Sequence, residues 1–457
     1  MASTSMTVSG KKRVSSFRKA LLAAPLLALA LTGCDTVGDW FGAAKEPPLP
    51  GTRISVLKSG SNLTVDQEVA SVAVTLPAAA TNADWPQAGG SADHAAGHVS
   101  LADSPRQVWS TSIGSGTGSN RALLGTPVVA DGKVFAMDAQ SRVVALDANS
   151  GQKIWSIETQ PEKERGEASG GGIAYGEGRL FAGTGYAELI SIDPANGSVQ
   201  WRKRLSGPVR GAPTVQDGRV YILTLDNQLY ALSVADGTEQ WTHQGILETA
   251  GLLGAVSPAA TNTLVVAPYS SGELYGLRPE TGRVAFQESL SGSQRGGAIS
   301  SIADIRALPV IDNGIILAVG HAGRMVAIDE RIGNRLWEVE IGGIQTPAVA
   351  GDFVFVLSNN AELVAMTRKT GQIRWIAQLE RFEDPEDRKG PIVWAGPVAA
   401  GGRLWLTSST GQLVGVSPVD GQISVRQSIP SGSTLPPVVA NNTLYVLSDN
   451  GTLSAHR

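Results

Sequence analysis

The sequence predicts an all-β fold, a single eight-bladed β-propeller of four-stranded blades closed by an N-terminal strand that completes the last blade. A strand start recurs eight times, at intervals of 38 to 51 residues. A glycine recurs four residues before a large apolar side chain. The chain also ends one strand short of a full unit, while one unmatched strand precedes the first unit.

Seven of the eight strand starts are marked by a proline and one by Ile173, and each is followed four and five residues later by a turn pair such as Asp131-Gly132. Such pairs supply the positive φ angles that tight hairpins need. The eight starts are Pro127, Ile173, Pro213, Pro258, Pro309, Pro347, Pro397 and Pro437. Each interval holds about four short alternating strands, which is the size of a propeller blade.

The glycine and the large apolar residue form the second repeated feature. The pairs are Gly151/Trp155, Gly197/Trp201, Gly237/Trp241, Gly282/Phe286, Gly333/Trp337, Gly371/Trp375 and a degenerate Gly421/Val425. We predict that these rings pack between adjacent blades, because burying an aromatic ring removes much apolar area from water.

The two ends of the repeat region predict how the ring closes. The unmatched strand contains Trp109, which precedes Trp155 by 46 residues, one repeat length. The eighth unit runs from Pro437 to Leu453 and lacks a fourth strand. Pairing the first strand with the last unit hides both sheet edges. We therefore predict one propeller domain over residues 82–457.

Composition excludes several classes of function. Charged residues make up 17% and the net charge is −4, which argues against a nucleic-acid surface. The single cysteine, Cys34, excludes internal disulfides and cysteine-based zinc or iron–sulfur sites. His94 and His98 have the spacing of some metal ligands, but no third ligand is near them in sequence, so we predict no metal site. No grouping of residues in the sequence predicts a catalytic site.

The first 33 residues predict a lipoprotein signal peptide. Five Lys and Arg residues precede an apolar run over residues 20–31, which is too short to remain as a membrane span. Residues 31–34, Leu-Thr-Gly-Cys, resemble a bacterial lipobox, which implies cleavage before Cys34 and acyl chains on that residue. Cleavage leaves a net charge of −9. We expect residues 34–81 to form a lipid-anchored tether with a Pro-rich linker, with strands at 53–57 and 69–76.

Residues 145–155, Ala-Leu-Asp-Ala-Asn-Ser-Gly-Gln-Lys-Ile-Trp, resemble the tryptophan-docking repeat of quinoprotein dehydrogenases, and residues 327–337 and 365–375 are further copies. The BamB family, lipoproteins of the machinery that inserts β-barrels into the bacterial outer membrane, shares this repeat. A lipobox, a tether and one propeller opening with Asp-Trp-Pro-Gln-Ala-Gly-Gly at 84–90 resemble the BamB family over the whole chain.

The resemblance implies a non-enzymatic scaffold with no cofactor besides the lipid on Cys34, anchored at the periplasmic face of the outer membrane. Asp35 directly follows the cysteine, and under the enterobacterial sorting rule it implies retention in the inner membrane. The choice between the outer and the inner membrane therefore stays open. The implied partners are the periplasmic repeat domains of the barrel-assembly protein BamA, and also nascent outer-membrane proteins.

The resemblance also implies which residues contact BamA. In one connection Arg210 and Gly211 match the family motif, Val209 is a conservative change from its leucine, and a glycine stands at position 207 in place of another leucine. In the other connection Asp304 matches the first of two aspartates, and Arg306 stands where the second would be. We expect Arg210 to be the principal anchor, with Val209 and Asp304 in support, since an arginine buries its stem and forms paired hydrogen bonds.

Two long connections, 287–308 and 377–396, indicate where function concentrates on the propeller. Their apolar residues are Ile299, Ile302, Ile305, Phe382 and Trp394. These side chains predict either a protein interface or segments that fold back onto the blades. Two other functions remain open: a quinone (PQQ)-dependent dehydrogenase-like enzyme, and a glycan-binding periplasmic propeller with exposed aromatic residues in its channel.

Overall fold

Eight four-stranded antiparallel sheets follow one another along the chain, which confirms the predicted propeller. The structure is a computed structural model that describes residues 63–457 apart from 165, 167, 249–253, 255 and 292–302. The described residues form strands, turns and loops. Among them there is no helix of the length and apolar character that crossing a membrane requires.

The strands are numbered in chain order. The first is β1 (Gln107–Ser112). Blade 1 contains β2 (Val128–Ala130), β3 (Lys133–Met137), β4 (Val143–Asp147) and β5 (Lys153–Ile157). Blade 2 contains β6 (Gly171–Gly176), β7 (Arg179–Thr184), β8 (Glu188–Ile192) and β9 (Val199–Arg204). Blade 3 contains β10 (Thr214–Gln216), β11 (Arg219–Leu223), β12 (Gln228–Ser233) and β13 (Glu239–Gln244). Blade 4 contains β14 (Ala259–Ala260), β15 (Val265–Pro268), β16 (Glu273–Leu277) and β17 (Val284–Ser289).

The second half repeats the arrangement. Blade 5 contains β18 (Val310–Asp312), β19 (Ile315–Val319), β20 (Met325–Asp329) and β21 (Arg335–Val339). Blade 6 contains β22 (Ala348–Ala350), β23 (Phe353–Leu357), β24 (Glu362–Thr367) and β25 (Ile373–Gln378). A hairpin of β26 (Phe382–Asp384) and β27 (Lys389–Pro391) follows. Blade 7 contains β28 (Trp394–Ala400), β29 (Arg403–Ser408), β30 (Gln412–Val416) and β31 (Ile423–Ser428). Blade 8 begins with β32 (Val438–Ala440), β33 (Thr443–Leu447) and β34 (Thr452–His456).

Ring closure follows the prediction from the two chain ends. Strand β1 is the fourth strand of blade 8 and pairs antiparallel with β34, with Trp109 opposite Ala455. The backbone of Arg106 and Arg457 extends this pairing in both directions, with N–O distances of 2.6 and 2.9 Å. The last blade therefore joins residues that are about 350 positions apart in sequence.

The repeated tryptophans dock six of the eight blades onto the following blade, as predicted. The indole Nε1 of Trp155 donates to Pro194 O at 3.1 Å, in the turn between the third and fourth strands of blade 2. In the same turn Gly197 packs on that ring, and a Cβ there would lie 2.9 Å from Trp155 Cε3. The same bond to the following blade is made by Trp109, Trp201, Trp241, Trp337 and Trp375.

The apolar core is divided among the spaces between adjacent blades. One cluster combines Phe135 of blade 1 with Ile173 and Leu180 of blade 2, and all three are at most 1% exposed. The outermost strands instead alternate between exposed and partly buried positions, as in β9 and β17. Each blade therefore buries both faces of its inner strands and leaves its outer edge in water.

Residues 82–101, called the plug below, cross the end of the central channel where each inner strand turns into the second strand. Backbone bonds link Trp85 to Val129 in both directions, at 2.8 and 2.9 Å. The side chain of Gln87 donates to Val215 O and accepts from Val215 N, at 2.9 and 2.8 Å. Other plug residues that bond inner strands or their ends are Asn82, Pro86, Ala92, Asp93, His94, His98 and Val99. The plug thereby reaches blades 1 to 5, 7 and 8.

Residues 69–76 do not form the predicted strand. Residues 67–71 form a turn, held by bonds from Val69 N to Asp66 O and from Val72 N to Val69 O. Asp66 instead bonds Ile373 of blade 6 through its backbone and carboxylate, at 2.9 and 2.6 Å. The alternating apolar residues were misleading because they pack on an existing blade and do not pair with a neighbour. The strand expected at 53–57 lies outside the described residues, as does Cys34.

Candidate interaction site on the loop face

The propeller has two unlike faces. The plug occupies one of them, and the other, called the loop face below, carries the connections that lead into each inner strand. Residues 208–210 lie there as a short extended segment beside the end of β11. Arg210 N donates to Leu223 O at 2.9 Å, and Leu225 N donates to Pro208 O at 2.8 Å. Gly211 follows where the backbone of Val256 approaches so closely that a Cβ would lie 2.1 Å from Val256 O.

Arg210 and Asp304 form a buried ion pair that joins two connections of the loop face. The guanidinium Nη2 donates to Asp304 Oδ1 and also to Ile305 O at 3.2 Å. The two side chains are 2% and 0% exposed. Burial lowers the pKa of the Arg210 guanidinium, while the charge of Asp304 raises it. Because an unpaired buried charge is costly, this pair holds the segments in a fixed relation.

The structure therefore brings together the two segments that the family motif singles out, but it places their side chains differently. Val209 is fully buried and Arg210 is directed inward to Asp304. Direct contact of either side chain with another molecule would need the connection to move. Arg306 is half-buried and is the more accessible of the two arginines.

Arg306 lies at the mouth of the central channel on the loop face. Burial lowers the pKa of its guanidinium, Asp304 raises it, and the nearby charge of Arg210 lowers it. The backbone at Gly254 lies against its Nε, where a Cβ would be 1.8 Å away. Two guanidinium groups therefore share one carboxylate at this point.

The channel is a cavity of about 120 Å³ that ends at the plug. Trp85 and His94 line its closed end, and residues that precede the inner strands line the remainder. Among the described residues that line it away from the plug, Arg306 is charged and the others are neutral, including Leu124, Leu308, Ile344, Gln345, Thr346 and Thr434. The lining resembles the small apolar sites that hold one ligand group with few polar contacts.

An exposed apolar patch lies beside the ion pair, and the sequence reasoning missed it. It consists of Leu225, Ile246 and Leu247, which are 53%, 58% and 67% exposed. Asn227 Nδ2 donates to Ile246 O at 2.6 Å and holds the two parts of the patch together. The sequence contained an indication of this patch, because most other blades have a small or polar residue at the position where blade 3 has Leu225. Exposed apolar side chains next to charged groups are typical of protein interfaces.

The long connections give a mixed result. Ile305 is fully buried and Trp394 is 4% exposed, with its Nε1 donating to Glu380 O at 2.8 Å. Phe382 is half-buried at the start of the hairpin β26–β27, under the guanidinium of Arg381. These side chains fold back onto the protein, which was one of the two outcomes left open. Ile299 and Ile302 lie outside the described residues.

The two spaced histidines have structural partners. His94 Nδ1 donates to Pro309 O at 2.7 Å, and burial lowers the pKa of His94 to about 4. His98 Nδ1 donates to Pro77 O, while its Nε2 accepts from Gly402 N at 2.8 Å. Within the described part of the chain, no three His, Cys, Asp or Glu side chains come together as metal ligands would.

Comparison with known proteins adds information that the geometry lacks. A family model described as outer membrane protein assembly factor BamB matches residues 92–160, 139–377 and 380–456. The outer membrane protein assembly factor BamB of Yersinia pestis is 27% identical over 358 residues, which is 77% of this chain and 88% of that protein.

Two solved structures share the fold. The structure of BamB from Moraxella catarrhalis has a TM-score of 0.66 at 18% identity, covering 77% of this chain and 99% of that chain. Quinohemoprotein alcohol dehydrogenase from Comamonas testosteroni has a TM-score of 0.62 at 15% identity, covering 83% and 81%. One propeller architecture thus occurs in an assembly factor and in an enzyme, so the fold alone does not select between them.

Proposed function

The chain belongs to the family of outer membrane protein assembly factor BamB, and on this basis we propose that it is a non-enzymatic scaffold lipoprotein in the assembly of outer-membrane β-barrel proteins. In this role it binds the periplasmic repeat domains of BamA and aids the folding and insertion of outer-membrane proteins. The support comes from the family match over most of the chain and from relatives named as assembly factors.

The proposed location is the periplasmic face of the outer membrane, with the acyl lipid on Cys34 as anchor and no other cofactor. The lipobox at residues 31–34 supports this anchor. Asp35 makes retention in the inner membrane the alternative location. Nascent outer-membrane proteins are the second class of partner.

The proposed BamA-binding site is the part of the loop face around Val209, Arg210, Gly211, Asp304 and Arg306. The observation that carries this proposal is the buried ion pair between Arg210 and Asp304, because it unites at one point the two segments that correspond to the family motif. In the single chain Arg210 acts as the anchor of the surface, since it holds both connections. Arg306 and the apolar patch supply the accessible area.

The function is tested by a pull-down of the full-length tagged chain from detergent-solubilised membranes. We expect the barrel-assembly protein to be recovered with it. Dye-linked alcohol oxidation by the purified chain, without recovery of the assembly complex, would contradict the proposal in favour of a quinone-dependent enzyme.

The anchor is tested by Cys34→Ser. The substitution removes the thiol that carries the lipid, so we expect the chain to move from the membrane fraction to the soluble periplasmic fraction and to lose labelling by radioactive palmitate. Separation of inner and outer membranes in the unchanged strain identifies the membrane. A variant that stays membrane-bound and labelled would show that Cys34 is not the anchor.

The site is tested by Arg210→Ala, with affinity for the periplasmic domains of BamA as the measurement. We expect a loss of at least about 1 kcal/mol, because the two connections lose their common ion pair. The substitution also leaves Asp304 buried without Arg210, at a cost of roughly 3–5 kcal/mol in stability. Circular dichroism must therefore confirm that the variant is folded at the temperature used.

Arg331→Ala is the matched control, because Arg331 is exposed on the opposite face in the turn after β20. We expect no change in its affinity. A change under about 0.5 kcal/mol for a folded Arg210→Ala variant would eliminate the proposed site.

A further inference from the structure

The charge at the channel mouth is unbalanced. Arg210 and Arg306 both lie close enough to Asp304 to interact with its charge, and the charge of Arg210 lowers the pKa of the Arg306 guanidinium. Asp304 already bonds Arg210, and among the described residues Arg306 has no ion pair or hydrogen bond of its own. The Nη1 atom of Arg210 is also buried without a described partner. Arg210 and Arg306 are positively charged and Asp304 is negatively charged, so these three side chains together have one positive charge in excess.

Such an arrangement is costly for the isolated chain. A desolvated guanidinium beside a second guanidinium loses hydration and gains repulsion. A carboxylate placed against Arg306 would reverse both effects, since the planar guanidinium matches a carboxylate with two parallel hydrogen bonds. The chemistry of the mouth therefore selects an anion, and a carboxylate fits its geometry.

The channel behind Arg306 limits the size and polarity of the group that enters. Its volume of about 120 Å³ is somewhat smaller than the roughly 150 Å³ of an apolar cavity that accepts benzene. Leu124, Leu308 and Ile344 offer apolar contacts near the mouth, while the plug closes the far end. The space accommodates one short side chain, with an apolar stem along these residues and its charge at Arg306.

The surroundings of the mouth indicate that this group belongs to a protein. Segment 208–210 carries Arg210 and pairs with the strand end that carries Leu225. The apolar patch of Leu225, Ile246 and Leu247 therefore adjoins the charged cluster on one face. A free small acid would have no use for this patch, whereas a protein surface can cover it while inserting an acidic residue.

We propose that Arg306 and the channel mouth form a receptor for an acidic side chain of a protein partner that docks across the apolar patch. The inference rests on the proposed function in one respect, namely that a protein docks on the loop face. It adds the chemical nature of the contact, because the partner places a carboxylate against the guanidinium of Arg306. Arg306 contributes to the affinity for the partner and does not stabilise the fold of the free chain.

The first test compares Arg306→Gln, Arg306→Lys and the control Arg331→Gln, which removes an equal charge from the opposite face. For the periplasmic domains of BamA we expect Arg306→Gln to weaken binding at least tenfold and to flatten the dependence of the Kd on NaCl concentration. Arg306→Lys should recover part of the affinity and the salt dependence. Arg331→Gln should behave as the unchanged protein.

Thermal unfolding separates binding from a structural role. Because Arg306 is desolvated next to Arg210, its replacement by glutamine should leave the Tm unchanged or raise it. A lower Tm together with unaltered salt dependence would mean that Arg306 only supports the fold, and would overturn the proposal.

The second test uses a small probe on the purified full chain. Ligand-observed saturation-transfer NMR compares 4-methylpentanoate with the neutral 4-methylpentanamide. We expect transfer to the carboxylate only, lost in Arg306→Gln and kept in Arg331→Gln. Equal signals from both compounds, or a carboxylate signal that survives in Arg306→Gln, would overturn the carboxylate site.

The two tests also separate this inference from the proposed function. If the unchanged chain does not bind the BamA domains while the probe distinguishes Arg306→Gln, the proposed function fails and the carboxylate site stands. If BamA binds all variants with equal affinity and salt dependence, the proposed function stands. In that case the site takes free carboxylates at most, and the proposed receptor for a partner's acidic side chain is wrong.

Discussion

Arg210 and Arg306 both interact with Asp304 but have different roles: Arg210 forms an ion pair with it from another connection, and Arg306 follows it by two residues in sequence. Arg210 is 2% exposed and is neutralised by Asp304, so its charge is used inside the protein. Arg306 is half-buried at the channel mouth, and its charge is left for another molecule. The sequence reasoning identified both residues through the family motif. It had no means to distinguish the inward from the outward side chain, because that depends on which atoms of another connection are within reach.

At the same scale, His94 predicts a pH dependence of stability. In the folded chain burial lowers the pKa of His94 from 6.5 to about 4, so the unfolded chain binds a proton first as the pH falls. Stability is then unaffected above about pH 6.5 and declines between about pH 6.5 and pH 4, by up to roughly 3 kcal/mol from this residue. Denaturant unfolding at several pH values should show a smaller decline for His94→Asn.

His456, whose pKa burial also lowers to about 4, should retain its own contribution in that variant. An identical pH profile for His94→Asn and the unchanged chain would contradict the assignment to His94.

At the scale of the blade, the repeated glycine and tryptophan form one unit spread over two blades. In blades 1 to 7 the glycine lies in the turn between the third and fourth strands, and there it receives the ring of the preceding blade. The degenerate copy at Val425 has a structural reason. Blade 7 faces blade 8, whose third and fourth strands, β34 and β1, are not consecutive in sequence, so no turn joins them to accept an indole.

A pair of glycine substitutions isolates this docking contact. Gly197 and Gly178 both have a positive φ, of 78° and 74°, but only Gly197 has a ring against the space for a Cβ. Gly178→Ala should cost about 1–2 kcal/mol for the backbone alone. Gly197→Ala should cost about 1–3 kcal/mol more, because the blades must separate around Trp155. Both values follow from denaturant unfolding, and equal costs would show that the ring does not limit this turn.

At the scale of the whole molecule, the plug closes one end of the central channel. Inner strands of a propeller have a channel-facing edge with unpaired backbone groups, and the plug satisfies several of them at one end. The other end keeps its entrance, so the channel faces the same side as Arg306 and the apolar patch. The sequence reasoning placed residues 84–90 at the opening of the folded part but did not find their position across the axis.

Gln87→Ala tests how much the plug contributes to the stability of the ring. The amide of Gln87 pairs with both backbone groups of Val215, 128 residues away, and is 7% exposed. Loss of two buried bonds should lower the free energy of unfolding by about 2–3 kcal/mol. Gln200→Ala, on the exposed outer strand of blade 2, should change it by less than about 0.5 kcal/mol. Equal effects of the two substitutions would mean that the plug is not a supporting element.

The repeat by itself determined the number of blades, their strand order, the closure by residues 107–112 and the docking of the tryptophans. Each of these follows from local periodicity, because one blade presents the same faces to its neighbours as every other blade. The tertiary structure decided the rest, since non-repeated segments obtain their positions from contacts distant in sequence. Asp66 bonds Ile373, Gln87 bonds Val215, and Arg210 bonds Asp304. The site on the loop face consists of such contacts. Its balance of charges therefore depends on the closed ring and could not be determined from the sequence.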